Sequence, residues 1–443
     1  MEEKDYKMTY RKLAVCVVMA LLAASGAGVI AQSAQDNREA LEVVWSDEFA
    51  TENKDAVKGV SFDADDNCFV VGRVQGSVAE PNQGDCDIVV AKYNAEGVRQ
   101  WIHQFGGPNH EEPEGIATDV AGNCYIVSDT YGNMFENVMA EPDKGSRDNV
   151  VLVKYDGDGK QVWGVQINSG GADLCYDMAT DAEGSCYVVG ETTGRLGDDN
   201  KGEEDAFIAR FTSDGELSWV RQLGTTYKDR ATCVAVDGEG NCYVGGATEG
   251  DLEGDNKGQR DIFVAKYDSA GERLWLRQYG TAGDEMCSGV AVDEETECFY
   301  AVGFSGGDMV GDYAGGQDAF VIQFDCDGTW LWGRSIGSSA DDAANTVAAD
   351  AEGCYVGGKA GWYLGDSYID GAMMFLAKFN LDGERQWLHQ FGPVNGYAAL
   401  ISVEVDSTGN CAMGGFNVGD FNVPNKGGED GFVMKVIHES DKE

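Results

Sequence analysis

Between residues 231 and 280 the chain alternates apolar and polar side chains in four short runs separated by tight polar punctuation. ATCVAVD (231–237) is followed by the turn residues Gly238-Glu239-Gly240-Asn241. CYVGG (242–246) then leads into a glycine-rich acidic loop, DIFVAKYD (261–268) into the turn Ser269-Ala270-Gly271, and RLWLRQYG (273–280) closes the set. A period of two over four to eight residues, rich in β-branched and aromatic side chains, predicts antiparallel strands and no helix. We call these strands a, b, c and d.

The same phrase recurs along the chain. Trp45, Trp101, Trp163, Trp219, Trp275, Trp332 and Trp387 mark the d strand of each copy, at intervals of 55 to 62 residues. A four-stranded unit of this length cannot bury its apolar faces alone and must stack against its neighbours. Seven such units predict an all-β fold, a seven-bladed β-propeller of four-stranded antiparallel blades. LEVVWSDEF (41–49) is a d strand arriving before any a, b or c strand, whereas the last copy ends at its c strand, GFVMKVI (431–437). The N-terminal strand is therefore expected to complete the seventh blade and close the ring. No linker interrupts the series, so residues 41–443 read as one domain.

DGEGNCYVGG (237–246) and RDIFVAKYDSAGERLW (260–275) resemble the SBBP, or seven-bladed β-propeller, repeat. DVAGNCYIVS (119–128), DAEGSCYVVG (181–190), DSTGNCAMGG (406–415), DNVVLVKYDGDGKQVW (148–163) and DAFVIQFDCDGTWLW (318–332) carry the same pattern. The sixth copy departs from it, with Met373 where others have Asp, and the second carries an insertion near residues 133–146. The resemblance implies a propeller, often exported and often on bacterial surfaces, and no single activity.

Charge narrows the partners. With 32 basic and 77 acidic residues the net charge is −45, which opposes nucleic acid and favours basic partners. Residues 13–31 are a continuous apolar run behind Arg11 and Lys12, and Val29-Ile30-Ala31 fits a signal-peptidase site. Residues 1–31 thus read as a signal peptide or an uncleaved N-terminal anchor, 32–40 as a spacer, and the protein as secreted, periplasmic or cell-surface. Seven of the 13 cysteines (Cys68, Cys124, Cys186, Cys242, Cys298, Cys354 and Cys411) recur with the repeat and are expected in seven copies of one buried niche. The remaining mature cysteines suggest no definite bridge.

In a propeller whose a strand lines the axis, the d-to-a and b-to-c connections emerge on one face and the tight a-to-b and c-to-d turns on the other. The Asp-x-x-Gly turns read as structural, Asp capping the turn and Gly supplying positive φ. Candidate chemistry therefore belongs to the loop face. The loop of the sixth blade offers Trp362, Tyr363 and Tyr368 with Asp366 and Asp370, flat apolar faces beside acceptors that suit a sugar ring or a protein hot spot. Acids on other b-to-c loops (Asp198, Asp199, Glu203 and Glu204; Asp251, Glu253 and Asp255; Asp308 and Asp312) form a solvated acidic face, with calcium as the competing ligand reading. Gly303-Phe304-Ser305-Gly306-Gly307 fits a nucleophile-elbow pattern but lacks its strand-to-helix context. His103, His389, Arg221, Arg277 and Arg334 share one d-strand position that reads as a surface site.

DGDGKQVW (156–163) is also similar to the tryptophan-docking motif of quinoprotein dehydrogenases, but those propellers resemble an eight-bladed ring with an adjacent cysteine pair. Seven copies without Cys-Cys leave quinone chemistry as the lesser alternative. The expectation is a monomeric, non-catalytic scaffold that binds an extracellular protein or glycan, or, without a discrete ligand, a structural surface component. No catalytic residue, metal ligand or cofactor is assigned.

Overall fold

The computed structural model describes residues 41–135, 148–293, 296–364, 373–393, 396–421 and 424–438. The leader and spacer assigned to residues 1–40 lie outside them, as does most of the second-blade insertion. The alternating segments form seven four-stranded antiparallel sheets, each in the order a-b-c-d. The first blade is Ala56–Phe62, Cys68–Val74, Asp87–Tyr93 and Arg99–Phe105. The seventh takes Tyr397–Val405, Cys411–Val418 and Asp430–His438, and its outer strand is Leu41–Phe49. Trp45 pairs with Lys435 and Phe49 with Gly431, so the two ends of the chain share one sheet and close the ring.

Strands b and c are buried almost throughout because both of their faces meet another blade. In the fourth blade every residue of Cys242–Thr248 and Asp261–Tyr267 is buried. The d strands lie at the rim and are more open, every residue of Arg273–Tyr279 except Leu276 being exposed or half-buried. The a strands surround the axis, the first packing against the last. Every a strand carries a register shift at the same point, from Val57/Gly59 in the first blade to Leu400/Ser402 in the seventh. Such a bulge turns the strand locally and increases its twist, and the spacing of apolar residues gave no hint of it.

The turn face shows what the repeated Asp, Gly, Lys and Trp do. Asp63 caps its a-to-b turn by accepting backbone N–H bonds from Asp65 and Asn67, both at 3.0 Å. Its other oxygen meets Lys92 Nζ from the c strand at 3.3 Å. The same pair recurs as Lys154–Asp119, Arg210–Asp181, Lys266–Asp237, Lys378–Asp350 and Lys435–Asp406. In the fifth blade Gln323 instead donates to the Tyr300 hydroxyl at 3.0 Å.

Neighbouring blades are joined by tryptophan. Trp219 Nε1 donates to Ser269 O of the next blade at 3.0 Å, and Gly271 lies against the indole. Gly271 has φ 78°, and a Cβ there would sit 2.7 Å from the ring. Trp101, Trp163, Trp275 and Trp332 donate in the same way to Gly157, Ser213, Cys326 and Leu381. The closing junction differs, because the seventh blade has no c-to-d turn. His438 replaces the glycine and stacks on Trp387, ring centroids 4.7 Å apart.

Two expectations need correction. Six of the recurrent cysteines share the buried niche, but Cys298 does not. Phe299 pairs with Phe324 there, as Cys242 pairs with Tyr267, and Cys298 is displaced by one residue to a half-buried position. The turn before it is longer, so counting along the chain misplaces the register by one. The d-strand position read as a surface site is also an interblade contact. Arg221, Arg277 and Arg334 lie over Trp219, Trp275 and Trp332. Their guanidinium groups donate to the next blade's carbonyls of Gly271, Asp327 and Asp382.

Candidate functional site: the loop face

The loops opposite the turn face are built on a set of buried carboxylates and a set of glutamines. At the head of each a strand in six blades sits Asp55, Glu111, Asp173, Asp229, Glu285 or Asp342, each fully buried. Asp229 shows the role: Thr225 N and Thr248 Oγ1 each donate to it at 2.5 Å, tying the d-to-a loop to the b strand. Burial raises the Asp229 carboxyl, and these hydrogen bonds hold it back. Ala398 stands at this point in the seventh blade.

Glutamines of the d strand fasten the b-to-c loops. Gln104, Gln166, Gln222, Gln278 and Gln390 accept from the backbone N–H of Val78, Met134, Leu196, Leu252 and Leu364, all within 3.0 Å. In the sixth blade Gln390 holds the start of the loop at two points, since its Nε2 also donates to Trp362 O at 3.2 Å. Trp362 nevertheless holds its side chain out, 60% exposed. A pinned backbone with a free indole is a pre-organised contact. Tyr363 is half-buried, while Asp366, Tyr368 and Asp370 lie outside the described residues.

Sequence reasoning missed the companions of Trp362. Tyr131, Tyr227, Tyr313 and Tyr397 are the other aromatic side chains that are largely exposed among the described residues. All four lie on b-to-c loops, on a d-to-a loop or at the head of an a strand, so every one opens onto the loop face. With Trp362 they come from five blades through unrelated loop sequences, and no shared motif marks them. Among the described residues, the large apolar side chains exposed on the turn face are scattered aliphatics such as Val120 and Leu381.

The acids are spread over the same face. Glu204 is held by Lys228 at 2.9 Å and Arg230 at 3.4 Å, and Asp199 by Arg195 at 3.4 Å. Asp251 and Asp308 accept backbone N–H bonds within their own loops. Cys86, His110 and Glu112 bring ligand atoms within 4.8 Å of one another, a set that suits a transition metal in type. Glu112, however, is already clamped by Lys58 at 2.6 Å and Arg73 at 3.1 Å, and burial pushes the Cys86 thiol up to about 12. Glu112 is thus one end of an ion-pair network that runs on from Arg73 to Glu429 across the closing junction.

Ser305 Oγ lies within hydrogen-bond distance of Glu285 Oε1 at 3.1 Å and Gly307 O at 2.8 Å and accepts from Gly307 N at 3.2 Å, which makes it part of the loop scaffold. Beneath the loops, the a strands enclose an axial cavity of about 530 Å³. Glu114, Asp177 and Glu404 line it, with Lys58 3.6 Å from Glu114. Burial pushes all three carboxyls up to about 7, helped at Glu404 by the charge of Asp177 and opposed at Glu114 by Lys58.

Comparison with known proteins places this geometry. The Beta-propeller repeat family, SBBP, matches residues 100–136 and 218–253, within the first, second, third and fourth blades. A curated relative, "Regulatory protein FlaEY" of Caulobacter vibrioides, is 26% identical over 250 residues, 48% of this chain. That stretch is 26% of the relative, so the matched region spans about a quarter of its length. Among solved structures, the Neurospora crassa Pan2 WD40 domain superposes with a TM-score of 0.50 at 11% identity, covering 90% of this chain and 96% of that one. The β-propeller domain of the Trilobed protease from Pyrococcus furiosus gives 0.47 at 7% identity over 88% and 97%. These structural likenesses concern the fold alone.

Proposed function

We propose that this chain, which carries the SBBP β-propeller repeat, is an exported, non-catalytic scaffold that binds a protein or glycan through its loop face. One observation carries the reading: among the described residues, the five exposed tyrosine and tryptophan rings, Tyr131, Tyr227, Tyr313, Trp362 and Tyr397, all open onto that single face. Aromatic rings on fixed backbone give large contact area with little conformational entropy to lose. The surrounding carboxylates favour a basic protein surface, and they also suit the hydroxyl groups of a sugar. Attraction to a basic partner weakens as salt screens it. Export follows from the apolar run at 13–31 behind two basic residues, and a monomer from a ring that completes its seven blades without a second copy.

A structural surface component without a discrete ligand is the second reading, supported by the abundance of acid, which gives solubility by itself. Glycan and protein arrays probed with wild type and with Trp362→Ala separate the two. A signal on the array that falls at least tenfold in the variant supports recognition. No signal above background for wild type supports the structural component.

A further inference from the structure

Among the described residues five cysteines stand outside the seven that recur along the sequence: Cys86, Cys175, Cys233, Cys287 and Cys326. Two of them meet. Cys233 lies on the a strand Asp229–Val236 of the fourth blade and Cys287 on the a strand Glu285–Asp293 of the fifth. Their Sγ atoms are 3.7 Å apart, and the residues are 1% and 0% exposed.

The bulges produce the meeting. Cys233 follows the register shift of its strand, between Ala231 and Cys233, whereas Cys287 precedes the shift between Cys287 and Gly289. The two residues thus occupy different repeat positions, which is why the repeat could not pair them. Room for both sulfurs comes from Gly245 on the neighbouring b strand. A Cβ there would sit 2.6 Å from Cys287 Sγ and 2.7 Å from Cys233 Sγ. Val71, Val127, Val189 and Val302 hold the same register in other blades and would fill that space. Thr232 Oγ1 donates to Cys287 O at 2.5 Å and fixes the two strands beside each other.

We propose that Cys233 and Cys287 form a disulfide that staples the fourth blade to the fifth when the chain folds under oxidising conditions. The bond needs a two-electron oxidant, here a small-molecule or protein disulfide. One cysteine, as thiolate, attacks a sulfur of that disulfide and expels one thiolate, giving a mixed disulfide. The second cysteine loses its proton and attacks the protein sulfur of the mixed disulfide, expelling the second thiolate. The protein loses two hydrogens and the oxidant is reduced to two thiols. Full burial closes the finished site to oxidants and keeps the Cys233 thiol protonated. The exchange therefore belongs to folding, before the two blades close on each other, and the completed bond is shielded from reductants in the same way.

The test uses the full chain, denatured, reduced, and refolded in a glutathione/glutathione disulfide buffer. Free thiols are then alkylated in denaturant and the peptides mapped without reduction. A Cys233–Cys287 cross-linked peptide, two hydrogens lighter than its separate halves, should be the main disulfide. It should persist when folded protein is incubated with dithiothreitol and disappear when denaturant is added. Cys233→Ala should fold and leave Cys287 fully alkylated. Both cysteines recovered alkylated from folded wild type, or bridges scattered among other cysteines, would overturn the proposal.

Discussion

The two faces of the ring are made from the same strands and behave as opposites. On the turn face each repeat spends its distinctive residues on itself and its neighbour. Asp caps a turn, Lys neutralises that Asp, and Trp reaches the next blade's carbonyl past a glycine. The loop face uses buried carboxylates and glutamines to fix its backbone and then leaves aromatic rings uncovered. Regular sequence thus marks where the protein holds itself together. Irregular sequence marks where it has surface to spare for a partner.

If the comparison is right, the largest losses come from the ring and its turn face. Deleting residues 32–50 removes the outer strand of the seventh blade and exposes the apolar side of Asp430–His438. The whole ring should lose stability together, as one cooperative transition shifted down by about 5 °C for a loss of several kcal/mol. An unchanged melting temperature would break the closure account. Lys435 and Asp406 are 4% and 1% exposed in their ion pair. Burial raises the Asp406 carboxyl, but the Lys435 ammonium and the Asn410 amide bring it below its ordinary value. Lys435→Met strands a buried carboxylate and should cost about 3–5 kcal/mol in denaturant unfolding. Gly271→Ala combines positive φ with a clash against Trp219 and should cost about 2–3 kcal/mol.

A smaller effect lies at the closing blade and has a definite sign. Glu48 takes the place held by glutamine in five blades, close to Asp430. Burial, and then Asp430, push its carboxyl from 4.5 to about 7. Folded protein holds this proton more firmly than unfolded protein between those values. Stability should therefore fall as pH rises through that window and level off above it. Glu114 and Glu404 on the axis act in the same direction. Glu48→Gln should raise stability near pH 8 by on the order of 1 kcal/mol, after allowance for partial solvation. Near pH 4 the two proteins should melt alike. A gain at both pH values would assign the effect to packing instead of charge.

Much of this was legible because repeats report their own periodicity. Seven tryptophans, the Asp-x-x-Gly turns and a d strand arriving ahead of its blade suffice for the ring and its closure. The legible part stops where geometry departs from counting. One longer turn moved Cys298 out of the niche and put Phe299 into it. Bulges brought Cys233 and Cys287 together from unlike positions. Trp362 could be picked out because aromatic residues cluster in its own loop. Tyr131, Tyr227, Tyr313 and Tyr397 could not, since their proximity to one face is a property of the closed ring.

The smallest expected effect on stability carries the greatest weight for function. Tyr227, Trp362 and Tyr397 are 56%, 60% and 43% exposed, and none contributes to the core. Replacing all three with serine should move the unfolding free energy by no more than about 1 kcal/mol. The decisive measurement is a pull-down from cell-surface extract with this triple variant beside wild type, with thermal melting of both. The account predicts material retained by wild type and lost from a variant that melts normally. Equal retention by the two proteins would contradict it.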